Sequence, residues 1–275
     1  MSHDKAVTYS TYLKVEELLA LQQPLSDGPE HDELLFITIH QVYELWFQQI
    51  LHELSALQPA LEAGMSHRAL ALLGRVRTIM KTCVAQIDVL ETMTPLQFQS
   101  FRSRLSSASG FQSAQFRELE AVLGRRDHAG TEAPEGSGMK MAEHLVPGSN
   151  ARERVEAAMA RPSVWDSALR YCHSRGHHMP EDVLARDVSV QWQPREDVQN
   201  VLVTLHHTDP ESALVCEALV DVDEGLGEWR YRHVTMVERT IGRKMGSGGS
   251  SGVGYLASTL FNPVFPDLWA IRSQL

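Results

Sequence analysis

Only three cysteines occur in the 275-residue chain, and Cys83, Cys172 and Cys216 lie far apart in sequence. An odd number without C-x-x-C spacing offers neither a disulfide framework nor a cysteine metal pair, and predicts buried thiols. Basic residues are also short, with 25 Lys and Arg against 35 Asp and Glu and a net charge of −10. A duplex-binding surface needs clustered cations to displace counterions, so nucleic acid is not an expected partner. No stretch approaches the roughly 20 apolar residues of a membrane span. The opening MSHDKAVTYSTYL has no basic segment followed by an apolar core, and a cytoplasmic location with no membrane partner is expected. Strand signals are scarce, apart from a possible short extended piece in SVQWQ at 189–193, and no internal repeat is visible.

Long helical patterning is what the chain has instead. DELLFITIHQVYELWFQQILHELSALQPALEA, at 32–63, is apolar on nearly every face at first and amphipathic later, as in a helix whose early turns are deeply buried. A second helix fits His67–Leu90. Thr94 before Pro95 makes a good N-cap and first-turn pair for a shorter helix ending near Leu105. Another covers Gln112–Leu123, after which GRRDHAGTEAPEGSG loses periodicity and predicts an exposed loop. Helical patterns resume at Ala151–Arg175. A long helix is predicted from Pro210 to Ile241, with Gly225 and Gly227 expected to loosen or kink it. These segments predict an all-α fold, a helical bundle forming a single domain over 1–275.

Thirteen histidines raise the question of which do chemistry. Phe36, His40, Tyr43 and Phe47 share one helical face, and Glu44, one turn on, is a candidate hydrogen-bond partner for His40. A histidine on an apolar face is commonly a core residue satisfied by one or two hydrogen bonds. His52-Glu53 lacks the second histidine of a zinc-protease motif, and His177-His178 and His206-His207 read as polar, loop-like positions. His233 shares a face with Trp229, Val237 and Thr240. Two inward histidines without Cys or carboxylate companions suit axial and distal positions of a haem better than tetrahedral zinc. Arg102 lies four residues after Phe98 and beside Phe101, a setting that demands an anionic partner such as a substrate carboxylate.

GSGGSSGVG, at 246–254, invites a phosphate reading, which its context rejects. No lysine follows the glycines as in a Walker loop, and a helical pattern rather than a strand precedes Gly252-Val253-Gly254, against a dinucleotide fingerprint. A flexible tether between domains is the other reading, with residues 255–275 all that follow. A loop serving a site is the expectation.

Four strings carry a resemblance over most of the chain: YSTYLKVEELLALQQPLS, HDELLFITIHQVYELWFQQILHEL, LETMTPLQFQSFRSRLSSASGFQS and WRYRHVTMVERTIGRKMGSGGSSGVGYL. In that order they resemble the tryptophan 2,3-dioxygenase family. The resemblance implies a helical homotetramer that binds haem b. With ferrous iron and O₂ the family cleaves the indole C2–C3 bond of L-tryptophan to give N-formylkynurenine, at the head of the kynurenine pathway. It implies that His233 is the proximal iron ligand, that His40 is the distal histidine accepting a hydrogen bond from the indole N–H, and that Arg102 binds the substrate carboxylate. Phe36 and Phe98 match ring-packing positions. Tyr9, Tyr12 and Leu13 match an N-terminal segment, residues 1–30 here, that completes a neighbouring subunit's pocket. The glycine-rich loop resembles one that closes over the bound amino acid. Where the family typically has threonine in this loop, this sequence has Ser247. Drift explains that change, since one methyl is worth only about 1 kcal/mol. The alternative is a haem monooxygenase that uses the vacated space for a β-methyltryptophan and stops at a 2-oxindole. A haem- or tryptophan-binding protein without oxygenase activity is a third reading, for which no output domain is seen.

Overall fold

The computed structural model describes residues 7–28, 30–106, 110–126, 142–143, 145–242, 244 and 253–275, apart from the side chains of Phe111 and Tyr255. The described residues are mostly helical, with no strand among them. Three long helices dominate: α3 (His31–Glu62), α4 (Ser66–Leu90) and α11 (Pro210–Ile241). Before them come α1 (Tyr9–Leu13) and α2 (Val15–Leu19). Between α4 and α11 lie α5 (Pro95–Arg102), α6 (Ala114–Leu123), α7 (Asn150–Met159), α8 (Val164–Ser174), α9 (Glu181–Leu184) and α10 (Glu196–Thr208). After α11 come α12 (Val253–Ser258) and α13 (Pro266–Ala270).

The helix boundaries follow the local chemistry. Thr94 caps α5 through a reciprocal pair with Gln97, with Pro95 in the first turn, as the sequence predicts. Ser163 caps α8 in the same way through Asp166, which also holds Arg186. This cap separates α7 from α8 within the helical patterns predicted over Ala151–Arg175, because Pro162 has no N–H to continue the ladder.

α4 packs along both α3 and α11, and α8 and α6 pack on α3. The core of this assembly includes Ile50, Leu54, Leu57, Leu73, Ile87, Trp165, Leu202 and Phe265, each at most 2% exposed. Tyr43 on α3 donates its hydroxyl to the Cys83 carbonyl of α4 at 2.9 Å, tying the two helices together. All three cysteines are free and buried, as their sequence positions predict.

Four local expectations are corrected. α11 runs unbroken through Gly225 and Gly227. Gly225 lets α11 approach α4, since a Cβ there would come within 3.2 Å of Met80 Cβ. Arg126, predicted to lie in an exposed loop, is 4% exposed and donates to the carbonyls of Ala121, Arg125, Arg161 and Val188. Around SVQWQ no strand forms: Val188 and Val190 carbonyls accept from the guanidiniums of Arg126 and Arg186 instead of a neighbouring strand. His206 is not in a loop but in α10, where Nδ1 donates to the Leu202 carbonyl at 2.7 Å and Nε2 faces Glu217.

Candidate functional site

α3, α4, α5, α6 and α11 enclose a cavity of about 260 Å³, with Leu256 of α12 and Thr259 on its wall. Phe36, His40, Phe98, Arg102 and His233, five of the residues singled out in the sequence, all line it. Helical periodicity explains the convergence. Phe36 and His40 are one turn apart on α3, Phe98 and Arg102 one turn apart on α5, and Trp229, His233 and Val237 recur on one face of α11.

His40 is oriented by its own helix. Its Nδ1–H donates to the Phe36 carbonyl at 2.7 Å, and its ring lies 4.1 Å from the Phe36 ring. Glu44, expected as its partner, instead accepts from Gln115, whose amide nitrogen reaches both the Glu44 carbonyl and carboxylate at 2.8 Å. Burial lowers the His40 pKa, against the Phe36 carbonyl and the Glu44 charge, which raise it. A neutral ring with Nδ1 protonated leaves Nε2 as a hydrogen-bond acceptor.

His233 is held differently. Its ring stacks on Trp229 at 5.1 Å with 5° between planes, and it makes no hydrogen bond among the described residues. Burial, then the positive charge available on His40 and Arg117, lowers its pKa to about 4. Both histidines are therefore uncharged at neutral pH and present lone pairs to a largely apolar space.

Phe36, Phe98 and Phe101 form an aromatic triad with ring separations of 5.5 to 5.7 Å, which fixes the α3 to α5 side of the cavity. Across α6 and α11 sits a buried charge cluster that the sequence reading missed. Glu120 accepts from Arg117 at 2.6 Å, Arg125 at 2.9 Å and Arg230 at 2.7 Å. Burial pushes the Glu120 carboxyl up, but the three guanidiniums overcome it and hold the pKa at about 2. Its only sequence signal is the Arg117 to Glu120 spacing of three on an otherwise apolar helix face. Among the described residues no group of His, Cys, Asp and Glu could hold a metal ion by itself.

Tyr9, Tyr12 and Leu13 do not reach this cavity. They lie on α1 with 79%, 76% and 45% of their surface exposed. The arm behind them is pinned where Leu25 and Ser26 N–H groups meet the Glu33 carboxylate and where Gln22 bonds Gln41. Ser247 and residues 246–252 of the glycine-rich stretch lie outside the described residues, whereas its last two residues, Val253 and Gly254, are not loop but the start of α12.

Fold and site together define an all-α protein with a mainly apolar small-molecule pocket flanked by two uncharged histidines. Comparison with protein families matches Tryptophan 2,3-dioxygenase over residues 1–134 and 201–275. Curated relatives of that name agree along the whole chain. The protein of Anaeromyxobacter dehalogenans is 56% identical over all of this chain and 98% of its own length. That of Herpetosiphon aurantiacus is 53% identical over 98% of this chain and 99% of its own, and that of a Nocardioides strain 45% identical over 98% and 95%. The chain belongs to the tryptophan 2,3-dioxygenase family. No helix among the described residues is long and apolar enough to cross a membrane.

Proposed function

We propose that this protein is a haem-dependent dioxygenase that adds both atoms of O₂ across the indole C2–C3 bond of L-tryptophan, releasing N-formylkynurenine, and that it works as a homotetramer. The observation that carries the reading is the placement of neutral His40 and neutral His233, from separate helices, on one apolar cavity that also contains Arg102.

The residues present fit haem b. His233 offers a lone pair that no described protein group uses, and Trp229 stacking restrains its ring. An apolar wall suits the macrocycle, and the arginine-rich side of the cavity suits its carboxylates. When bound, haem supplies the O₂ activation that no side chain can. The chain supplies the rest. His40, with Nδ1–H committed to Phe36, turns Nε2 to the indole N–H and orients it. It need not be a strong base, because the indole N–H is very weakly acidic and its proton can leave after the ring is attacked. Arg102 captures the α-carboxylate, and Phe36 and Phe98 pack on the indole. Tyr9, Tyr12 and Leu13 of one subunit complete the pocket of the next, which accounts for exposed tyrosines on a short helix. Ser247 contacts the bound amino acid through its hydroxyl.

Haem titration of the wild-type protein, followed by product analysis with L-tryptophan under O₂, tests the reading. One haem per chain with a histidine-ligated spectrum and formation of N-formylkynurenine are expected. His233→Ala loses the ligation, and His40→Ala retains haem but turns over more slowly. A wild-type protein that takes up haem and oxidises no indole amino acid would refute it.

A further inference from the structure

The face of α11 that carries His233 also carries Asp223, Leu226 and Arg230, at spacings of three, seven and ten residues from Asp223. Asp223, 5% exposed, directs its carboxylate at the C-terminal segment rather than at the cavity. It accepts the backbone N–H of Val264 at 3.1 and 3.0 Å, that of Phe265 at 3.1 Å and the indole N–H of Trp269 at 3.0 Å. Two turns on, Arg230 holds Glu120 with one nitrogen at 2.7 Å and donates to the Asn262 carbonyl at 3.4 Å with another. Four consecutive residues, 262–265, are thus fastened to α11 at three positions.

The fastened stretch begins three residues beyond Thr259, which lines the cavity together with Leu256. Between them stands Phe261, in the left-handed region at φ 59° and 97% exposed. A phenylalanine is costly there and persists only where its surroundings over-determine the backbone. Downstream, Val264, Phe265 and Leu268 are buried, and Asp267 accepts from Trp192, the Arg195 N–H and Gln199. α12 packs on α11, and the segment after it is tied to α11 by Arg230 and Asp223 before Asp267 ties it to Trp192 and α10, so the Arg230 and Asp223 ties are those nearest the cavity wall.

We infer that Asp223, assisted by Arg230, is a positioning residue for substrate binding: it fixes residues 262–265 on α11 and through them the place of Leu256 and Thr259 on the cavity wall. The role in binding rests on the proposed activity, whereas the anchor itself does not. Asp223→Asn keeps the size of the side chain but sets an N–H₂ group against N–H donors, so part of the anchor is lost. Trp269→Phe removes a single one of its bonds and serves as the milder variant.

The test is made on haem-loaded protein with two readouts. Amide hydrogen exchange should accelerate at 256–266 in Asp223→Asn while α3 and α4 keep their protection, with a smaller effect of the same kind in Trp269→Phe. Steady-state kinetics with L-tryptophan should show KM raised about tenfold in Asp223→Asn and two- to threefold in Trp269→Phe, with kcat within about twofold and an unchanged haem spectrum. Unchanged exchange at 256–266 in both variants overturns the anchor. Faster exchange with KM unchanged, or a fall in kcat without a rise in KM, overturns the positioning role. If the wild-type protein itself fails to oxidise L-tryptophan, the proposed activity falls, and the exchange result still decides the anchor.

Discussion

Replacing Glu120 by glutamine removes a carboxylate that Arg117, Arg125 and Arg230 all meet. The magnitude follows from linkage. The carboxyl is held at about 2, against 4.5 for an unperturbed glutamate, and one unit of pKa corresponds to about 1.4 kcal/mol, so the cluster favours the ionised folded state by about 3 kcal/mol. A folded-state pKa below the unfolded one means stability that is fully present above pH 4.5 and is lost as pH falls through about 2. At neutral pH Glu120→Gln should therefore destabilise by about 3 kcal/mol, within the range for breaking a buried ion pair and leaving its partners unmatched. Urea unfolding of the cofactor-free protein and variant at several pH values measures this, since bound cofactor would add its own stabilisation. The gap between the two proteins should narrow progressively below pH 4.5. A gap under about 1 kcal/mol at neutral pH, or one that is the same at pH 3 as at pH 7, refutes the assignment of Glu120 as the keystone of this wall.

Three further outcomes are expected. Gly225→Ala should destabilise by about 1 to 2 kcal/mol despite the better helix propensity of alanine, because Met80 Cβ, 3.2 Å from the added methyl, sits on the α4 backbone and cannot swing away. Gly227→Ala, with nothing within 4 Å, should stabilise by about 0.5 to 1 kcal/mol; thermal unfolding of the pair checks that the signs are opposite. Arg102→Lys keeps the charge but loses the planar two-point grip on a carboxylate, so KM for L-tryptophan should rise about tenfold or more, with a smaller change for an indole lacking the carboxylate. Ser247→Thr should leave L-tryptophan turnover within about twofold if the serine is drift; selective loss of β-methyltryptophan turnover would instead mark the position as a specificity determinant.

Much of the frame is readable in the residues because local chemistry decides it. Thr94-Pro95 starts α5 where the cap and the fixed proline φ agree, and the periodicity of 32–63 and 210–241 gives α3 and α11 to within a residue or two. His40 and His233 could be nominated from their apolar faces, but that they line one cavity is a tertiary fact that periodicity cannot supply. The partner of His40 is beyond the reach of spacing for a similar reason. A side chain one turn away looked available, yet Glu44 is taken by Gln115, 71 residues on, and the nearer acceptor was the helix carbonyl of Phe36. Arg126 and Glu120 were missed because charged residues are read as surface, and only the fold shows that carbonyls and guanidiniums surround them. Gly225 looked like a flaw in a helix because its purpose, close approach to Met80, lies on another element.

The central claim is tested most directly by the fate of the oxygen atoms. Haem-loaded protein, reduced without air and then exposed to ¹⁸O₂ and L-tryptophan, should yield a ring-opened N-formylkynurenine carrying two labelled oxygens. A product with a single labelled oxygen and an intact bicyclic ring, or no oxidised product at all, would contradict it.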